Sequence, residues 1–145
     1  MPHLVILYSG NLEPAVDMTA VCRALADAMR EVRDEEGKAV FPVGGIRVLA
    51  YPAAHHAVAD NGAAGLAGGE SGDYGFVYLN LRMGAGRSDS VIQAAGDAIT
   101  AAARSQLDTL LEARRVGMTF QVDIGQQAYD AKFGNLHALF QQGGK

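Results

Sequence analysis

Twice along its length the chain runs through a short apolar β-rich segment, a long helical segment and a second β-rich segment. This doubled order narrows the available folds more than any other feature of the sequence. The first pass begins with Pro2 to Tyr8, an apolar run bounded by Ser9-Gly10-Asn11, which reads as a buried strand. From Pro14 to Glu36, Val21, Leu25, Met29 and Val32 recur at helical spacing, Asp17 stands where an N-cap or first-turn acid belongs, and Gly37 stops the run. Phe41-Pro42-Val43-Gly44-Gly45 is then a turn feeding a strand over Ile46 to Tyr51. In that strand Ile46, Val48 and Ala50 share one face and Arg47, Leu49 and Tyr51 the other. Ala53 to Gly72 is dense in glycine and alanine without periodicity and reads as a mobile loop or insertion.

The second pass opens at Asp73 to Met83, where Val77, Leu79, Leu81 and Met83 alternate with Tyr74, Phe76 and Tyr78, a pattern expected of a central strand. Gly84-Ala85-Gly86-Arg87 turns the chain, and Ser88 caps a long helix with Asp89 in its first turn. Its inward stripe is Val91, Ala95, Ile99, Leu107, Leu110 and Leu111, and it ends near Arg115 and Gly117. Met118, Phe120, Val122 and Ile124 alternate as the last strand. The pattern predicts an α/β (α+β) fold with a four-stranded mixed sheet and two helices on one face. It is read as one domain over 1–145, with halves of about 1–55 and 73–125, a glycine-rich loop 53–72 and a C-terminal segment 126–145. Helices on one side leave the other sheet face uncovered, so association with further copies is expected.

A chain of 145 residues buries about two thirds of its unfolded surface, enough for its own core. No apolar run approaches the ~20 residues of a membrane span, and the first residues lack the basic and apolar regions of a secretory signal. The expected compartment is the cytoplasm. A lone cysteine, Cys22, sits at helical spacing among apolar neighbours, reads as core packing and forms no intrachain disulfide. A formal charge of −4 argues against nucleic acid as a partner, so an anionic substrate must be drawn by a few local arginines.

Met1-Pro2 carries the first chemical signal. Trimming of the methionine leaves a secondary amine at Pro2, a group that titrates near ~8 in water and is pushed towards neutrality by burial and nearby arginine charge. Such an amine is a candidate base, although many chains begin Met-Pro with no chemistry there. A strand, then Gly84-Ala85-Gly86-Arg87, then a helix offers backbone N–H groups and a positive helix end to an anion, with the arginine as a fork. The loop lacks the GK[ST] ending of a nucleotide-binding loop, and the third glycine of G-x-G-x-x-G would fall on Asp89, so a carboxylate fits better. The two glycines equally serve a tight turn, and Arg87 a surface ion pair. Arg47, after Gly44-Gly45, is a candidate second carboxylate clamp, and Arg82, on the face of Tyr74, Phe76 and Tyr78, a supporting third. His55 and His56 read as solvated loop residues, since no cysteine or paired carboxylate completes a metal-ligand spacing. His3 reads as packing or hydrogen bonding. His137 lies in an amphipathic stretch whose apolar members read as a docking segment for a neighbouring subunit.

Four segments in order, Met1-Pro2-His3, Phe41-Pro-Val-Gly-Gly-Ile-Arg47, Gly84-Ala-Gly-Arg-Ser88 and Asn135-Leu-His-Ala-Leu-Phe140, resemble the 5-carboxymethyl-2-hydroxymuconate isomerases of the tautomerase superfamily over nearly the whole chain. The resemblance implies a β-α-β pseudo-repeat assembled as a homotrimer, with active sites between subunits and no cofactor or metal. Pro2 would be the general base, and Arg47 and Arg87, from different subunits, the carboxylate-binding and charge-stabilising residues. The implied reaction moves a proton between a 2-hydroxymuconate-type dienol and its 2-oxo isomer in bacterial breakdown of homoprotocatechuate. Leu7 stands where the family is expected to carry an acidic residue, and the loop 53–72 is longer and richer in glycine. These departures keep a phenylpyruvate-type or other unsaturated-acid tautomerase, and a non-catalytic trimeric anion-binding protein, open beside the isomerase.

Overall fold

The alternation of apolar residues along the strands decides how the sheet is covered. In the computed structural model, which describes residues 2–141, β1 (His3–Ser9) buries Leu4, Ile6 and Tyr8 on one face and leaves His3 and Leu7 exposed on the other. Met1 and residues 142–145, which bear on the trimmed start and on the end of the docking segment, lie outside the described residues. The chain continues through a 3₁₀ turn (Gly10–Ala15), α1 (Met18–Glu31), β2 (Arg47–Ala53), α2 (Ala63–Ala67), β3 (Gly75–Gly84), α3 (Asp89–Ala113), β4 (Val116–Gly125) and a terminal turn of helix, α4 (Ala138–Gln141).

The strands lie in the order β2-β1-β3-β4. β1 is parallel to β2 and antiparallel to β3, and β3 is parallel to β4. The expected mixed four-stranded sheet is therefore present, with β1 and β3 central. Val77, Leu79, Leu81 and Met83 of β3 join Leu4, Ile6 and Tyr8 on the covered face. Both long helices lie over that face: α1 packs on α3 and β2, and α3 on β4. Val21, Leu25 and Met29 of α1 and Val91, Ala95, Ile99, Ala103, Leu107 and Leu110 of α3 complete one continuous core. Removing this much apolar surface from water is the main stabilising term of the fold.

Several boundaries differ from the sequence reading. The first helix is shorter than Pro14–Glu36, because Pro14 falls inside the 3₁₀ turn and Asp17 caps α1 by accepting a hydrogen bond from Ala20 N at 3.1 Å. Its end comes at Glu31 and not at Gly37; Val32 leaves helical backbone, and Val40 N donates to Val32 O to close a small hairpin. The second strand is shifted by one residue at its start and two at its end. Leu111 does not belong to the inward stripe of α3 and is 38% exposed. The loop 53–72 is also more ordered than expected. It carries α2, and Asp60 accepts from the N–H groups of Gly62 and Ala64 at its start. Tyr74 Oη accepts from Gly65 N at 3.0 Å, which ties the insertion to the approach of β3.

Two glycines separate backbone freedom from close packing. In α3 nothing lies within 4 Å of the place a Gly96 Cβ would take, whereas a Cβ on Gly10 would lie 2.8 Å from the carbonyl oxygen of Ala53. Gly96→Ala should therefore raise stability by about 0.5–1 kcal/mol, the helical cost of glycine. Gly10→Ala should lower it by forcing apart the ends of β1 and β2. Urea midpoints at one fixed protein concentration check both signs.

Candidate functional site

Strand directions bring the three candidate residues to one end of the sheet. The starts of β1 and β2 and the ends of β3 and β4 meet there. Pro2 is buried just before β1, and its carbonyl accepts a hydrogen bond from Arg47 N, the first residue of β2, at 3.3 Å. Arg87 follows the end of β3 by three residues. Residues 45 positions apart, and then 40 more, converge because β1 is the common neighbour of β2 and β3.

Both guanidinium groups are aimed by backbone carbonyls. Arg47 Nη1 donates to Gly44 O at 2.7 Å and to Ile46 O at 2.9 Å. Arg87 Nη1 donates to Gly84 O at 3.1 Å and Nη2 to Val40 O at 3.0 Å, and its Cζ lies 5.8 Å from the ring centre of the fully buried Phe41. A guanidinium has five donors, so each arginine keeps others for a ligand. Among the described residues neither forms a salt bridge, and neither does Arg82 on β3. Three cations without a salt bridge among the described residues stand at one end of a chain with net charge −4, a place where an anion can be drawn locally.

The N-terminus of α3 is arranged differently from the anion seat expected of Gly84-Ala85-Gly86-Arg87. Gly86 adopts φ +112°, a backbone that favours glycine, and turns the chain so that Arg87 points towards Val40 and Phe41. The chain's own Glu35 carboxylate takes the place beside the helix start, accepting from Ser88 Oγ at 2.7 Å and Ser90 Oγ at 2.6 Å. Ser88 Oγ in turn accepts from Val91 N. Hydrogen bonds from Ser90 and then Ser88 hold the Glu35 carboxyl below its ordinary range. Glu35 thereby latches the 34–41 segment, which carries the carbonyl and ring that hold Arg87. Nothing in the run Asp34-Glu35-Glu36 singled out the middle acid.

A cleft of about 650 Å³ opens beside Arg47 between β2 and α1. Val43, Ile46 and Val48 line one wall, Cys22 and Arg30 the other, and Phe140 closes a rim. Pro2 and Arg87 are not among its lining residues, so this cleft does not gather all three candidates. A second cavity of about 540 Å³ lies at the opposite end of the sheet, where Tyr74 and Val116 meet the insertion. Its Arg115 is paired with Glu70 and offers no free cation. Burial raises the Cys22 thiol, in keeping with the packing role read for it. His56 Nδ1 sits 3.2 Å from Ala53 O and its ring meets Phe76 edge-on. His137 packs on its own subunit: a Cβ on Gly44 would lie 2.7 Å from His137 Nδ1. Tyr129, Phe133 and Leu139 of the same C-terminal segment are exposed.

The family model for 5-carboxymethyl-2-hydroxymuconate isomerase matches residues 2–140, nearly the full length. The chain belongs to the 5-carboxymethyl-2-hydroxymuconate isomerase family. It is 25% identical over 140 residues to the 5-carboxymethyl-2-hydroxymuconate Δ-isomerase of Escherichia coli, covering 97% of this chain and 99% of that one. A crystal structure of a 5-carboxymethyl-2-hydroxymuconate Δ-isomerase superposes with a TM-score of 0.96 at 68% identity, over 100% of this chain and 96% of the other. A 5-carboxymethyl-2-hydroxymuconate isomerase from Deinococcus radiodurans R1 follows with a TM-score of 0.76 at 29% identity, over 96% and 93% of the two chains. In this chain the carbonyls that hold Arg47 come from Gly44 and Ile46, and those that hold Arg87 from Gly84 and from Val40 in the latched 34–41 hairpin.

Two outcomes test those supports. Because the folded Glu35 pKa is lowered, its contribution to stability is present above its unfolded value near 4.5 and is lost as pH falls through the lower folded value. Thermal unfolding midpoints should thus fall less steeply below about pH 4.5 in Glu35→Gln than in the parent chain. Gly44→Ala should displace His137 and speed amide hydrogen exchange over 135–140 while leaving β1 and β3 protected.

Proposed function

We propose that the chain is a cofactor-independent isomerase that moves a proton in 5-carboxymethyl-2-hydroxymuconate or a related enol dicarboxylate, with the amine of Pro2 as general base. The observation that carries this reading is the family match over residues 2–140, combined with uncompensated arginines at the sheet end where Pro2 lies. An amide nitrogen has no lone pair to give, so the mechanism requires that Met1 be removed. The secondary amine then accepts the proton of the 2-hydroxyl, and its ammonium returns a proton to the far carbon of the conjugated system. The negative charge created between the two steps is spread over a dienolate oxygen. Arg47 and Arg87, already aimed by backbone carbonyls, stabilise that oxygen and the carboxylates without reorganising. Their charge also keeps the Pro2 amine neutral and ready to act as a base.

The same reading makes the functional unit a homotrimer of single tautomerase-like domains, with residues 126–141 contributing to the contacts between them. Val5, Leu7, Leu49, Tyr51, Phe76 and Tyr78 occupy the sheet face that α1 and α3 leave open, and Leu7 and Tyr51 are 42% and 52% exposed. An apolar face of this kind supports burial against further copies. A second subunit there would also complete a site that one chain leaves open. The reaction belongs to the cytoplasmic breakdown of homoprotocatechuate.

On native protein whose amino-terminal mass matches loss of Met1, an ultraviolet assay should show ketonisation of 5-carboxymethyl-2-hydroxymuconate in preference to phenylpyruvate enol. Pro2→Ala should lower kcat by about 10²-fold, the lower end of what general-base catalysis supplies. Arg87→Ala should raise KM and lower kcat by about 10²-fold, the effect of losing one oxyanion donor. Full activity of the Pro2 variant would remove the base from the mechanism. Turnover of phenylpyruvate enol alone would retain the proline chemistry and change the substrate, and tight anion binding without turnover of either would leave a binding protein.

A further inference from the structure

We propose that Arg82 selects for polycarboxylate substrates by seating the carboxylate furthest from the reacting enol, an inference that rests on the isomerase reading above. Arg82 lies on β3 on the open face, because Leu81 and Met83 beside it are turned into the core. Its register partner on β1 is His3, the residue after Pro2. Neighbouring strands run ~4.8 Å apart, so Arg82 stands one strand from the start of β1. Arg47 pairs with His3 from the other side, which makes Arg47, His3 and Arg82 a row across the sheet at the Pro2 end.

The partner that register offers Arg82 is Asp123 on β4, but one oxygen of that carboxylate is held by Asn80, whose Nδ2 donates to Asp123 Oδ2 at 2.8 Å. Among the described residues Arg82 has no salt bridge and no side-chain hydrogen bond, although a carboxylate stands directly across from it. The guanidinium instead lies against Gly125. A Cβ there would come within 3.1 Å of Nε and 3.3 Å of Nη2. The backbone of Gly125 is not among the glycines with positive φ, so its missing side chain serves as room for the arginine. A cation held on a strand, denied its cross-strand acid and given a glycine floor is placed to receive an external anion. Its planar fork suits a carboxylate. Arg47 and Arg87 serve the dienolate oxygen and the carboxylates within their reach, so the carboxylate furthest from the enol meets a third cation at Arg82. A monocarboxylate has nothing to place there.

The test compares Arg82→Gln, Arg82→Lys and Gly125→Ala with the parent chain, all with verified removal of Met1. For 5-carboxymethyl-2-hydroxymuconate, which bears three carboxylates, Arg82→Gln should raise KM about tenfold with kcat within about twofold, the effect of losing one hydrogen bond to a charged group. For phenylpyruvate enol, with one carboxylate, KM should not change. Arg82→Lys should recover part of the loss, and Gly125→Ala should shift the same ratio in the same direction. Equal effects on both substrates, through unfolding or a change of oligomeric state seen by sedimentation, would overturn the proposal, as would an unchanged ratio. Calorimetric titration with propane-1,2,3-tricarboxylate separates this failure from failure of the isomerase reading, because it needs no turnover. Weaker binding in Arg82→Gln supports the seat even in a chain inactive on both enols, and equal binding in the two proteins overturns it.

Discussion

The hydrogen bond from Arg47 N to the carbonyl of Pro2 starts the ladder that joins the first two strands, and the rest of the molecule depends on its register. A slip of one residue would turn Leu4, Ile6 and Tyr8 out of the core and bring His3 and Val5 under the helices. The core holds the register because those three side chains are almost fully buried against α1 and α3. The same bond keeps Arg47 beside the start of β1. Packing and the candidate chemistry therefore share one constraint, which explains how a site can be assembled from segments so far apart in the chain.

Charge at that end of the sheet is managed locally. Several acids are paired with nearby bases at the surface, as Asp27 is with Arg23 and Glu70 with Arg115. Such exposed pairs contribute little to stability. Arg47 and Arg87 are treated otherwise: carbonyl oxygens orient them without cancelling their charge. Glu35, which folding brings to Ser88, the residue after Arg87, accepts from Ser88 and Ser90, and Asp123 accepts from Asn80. Hydroxyl and amide partners bind one oxygen of each acid, and among the described residues neither acid forms a salt bridge with these arginines.

Particular residues mark where sequence reasoning succeeded. Alternation along β3 and β4 was readable because one face of each strand packs on helices, and Asp17 and Ser88 were readable as caps because a helix start needs a side-chain acceptor. Pro14 misled the reading of the first helix, since proline fits both a helix start and a 3₁₀ turn. The insertion 53–72 had no period to read; its order comes from Asp60 and from Tyr74, whose partners are turn N–H groups that no pattern announces. Glu35 was equally invisible, because its role is made by Ser88 and Ser90, more than fifty residues away.

By itself the sequence determined the two β-α-β passes, the residues that share a face in the second strand, Ser88 as a cap and the identity of Pro2, Arg47 and Arg87 as candidates. These depend on spacing along the chain, and spacing is local. Only the tertiary structure decided that the three candidates share one end of the sheet, that Glu35 takes the start of α3, that His137 rests on Gly44, and that Arg82 lies against Gly125 without a salt bridge among the described residues. Each of these is set by strand order and register, quantities fixed when distant segments bury a common core, and no local pattern contains them.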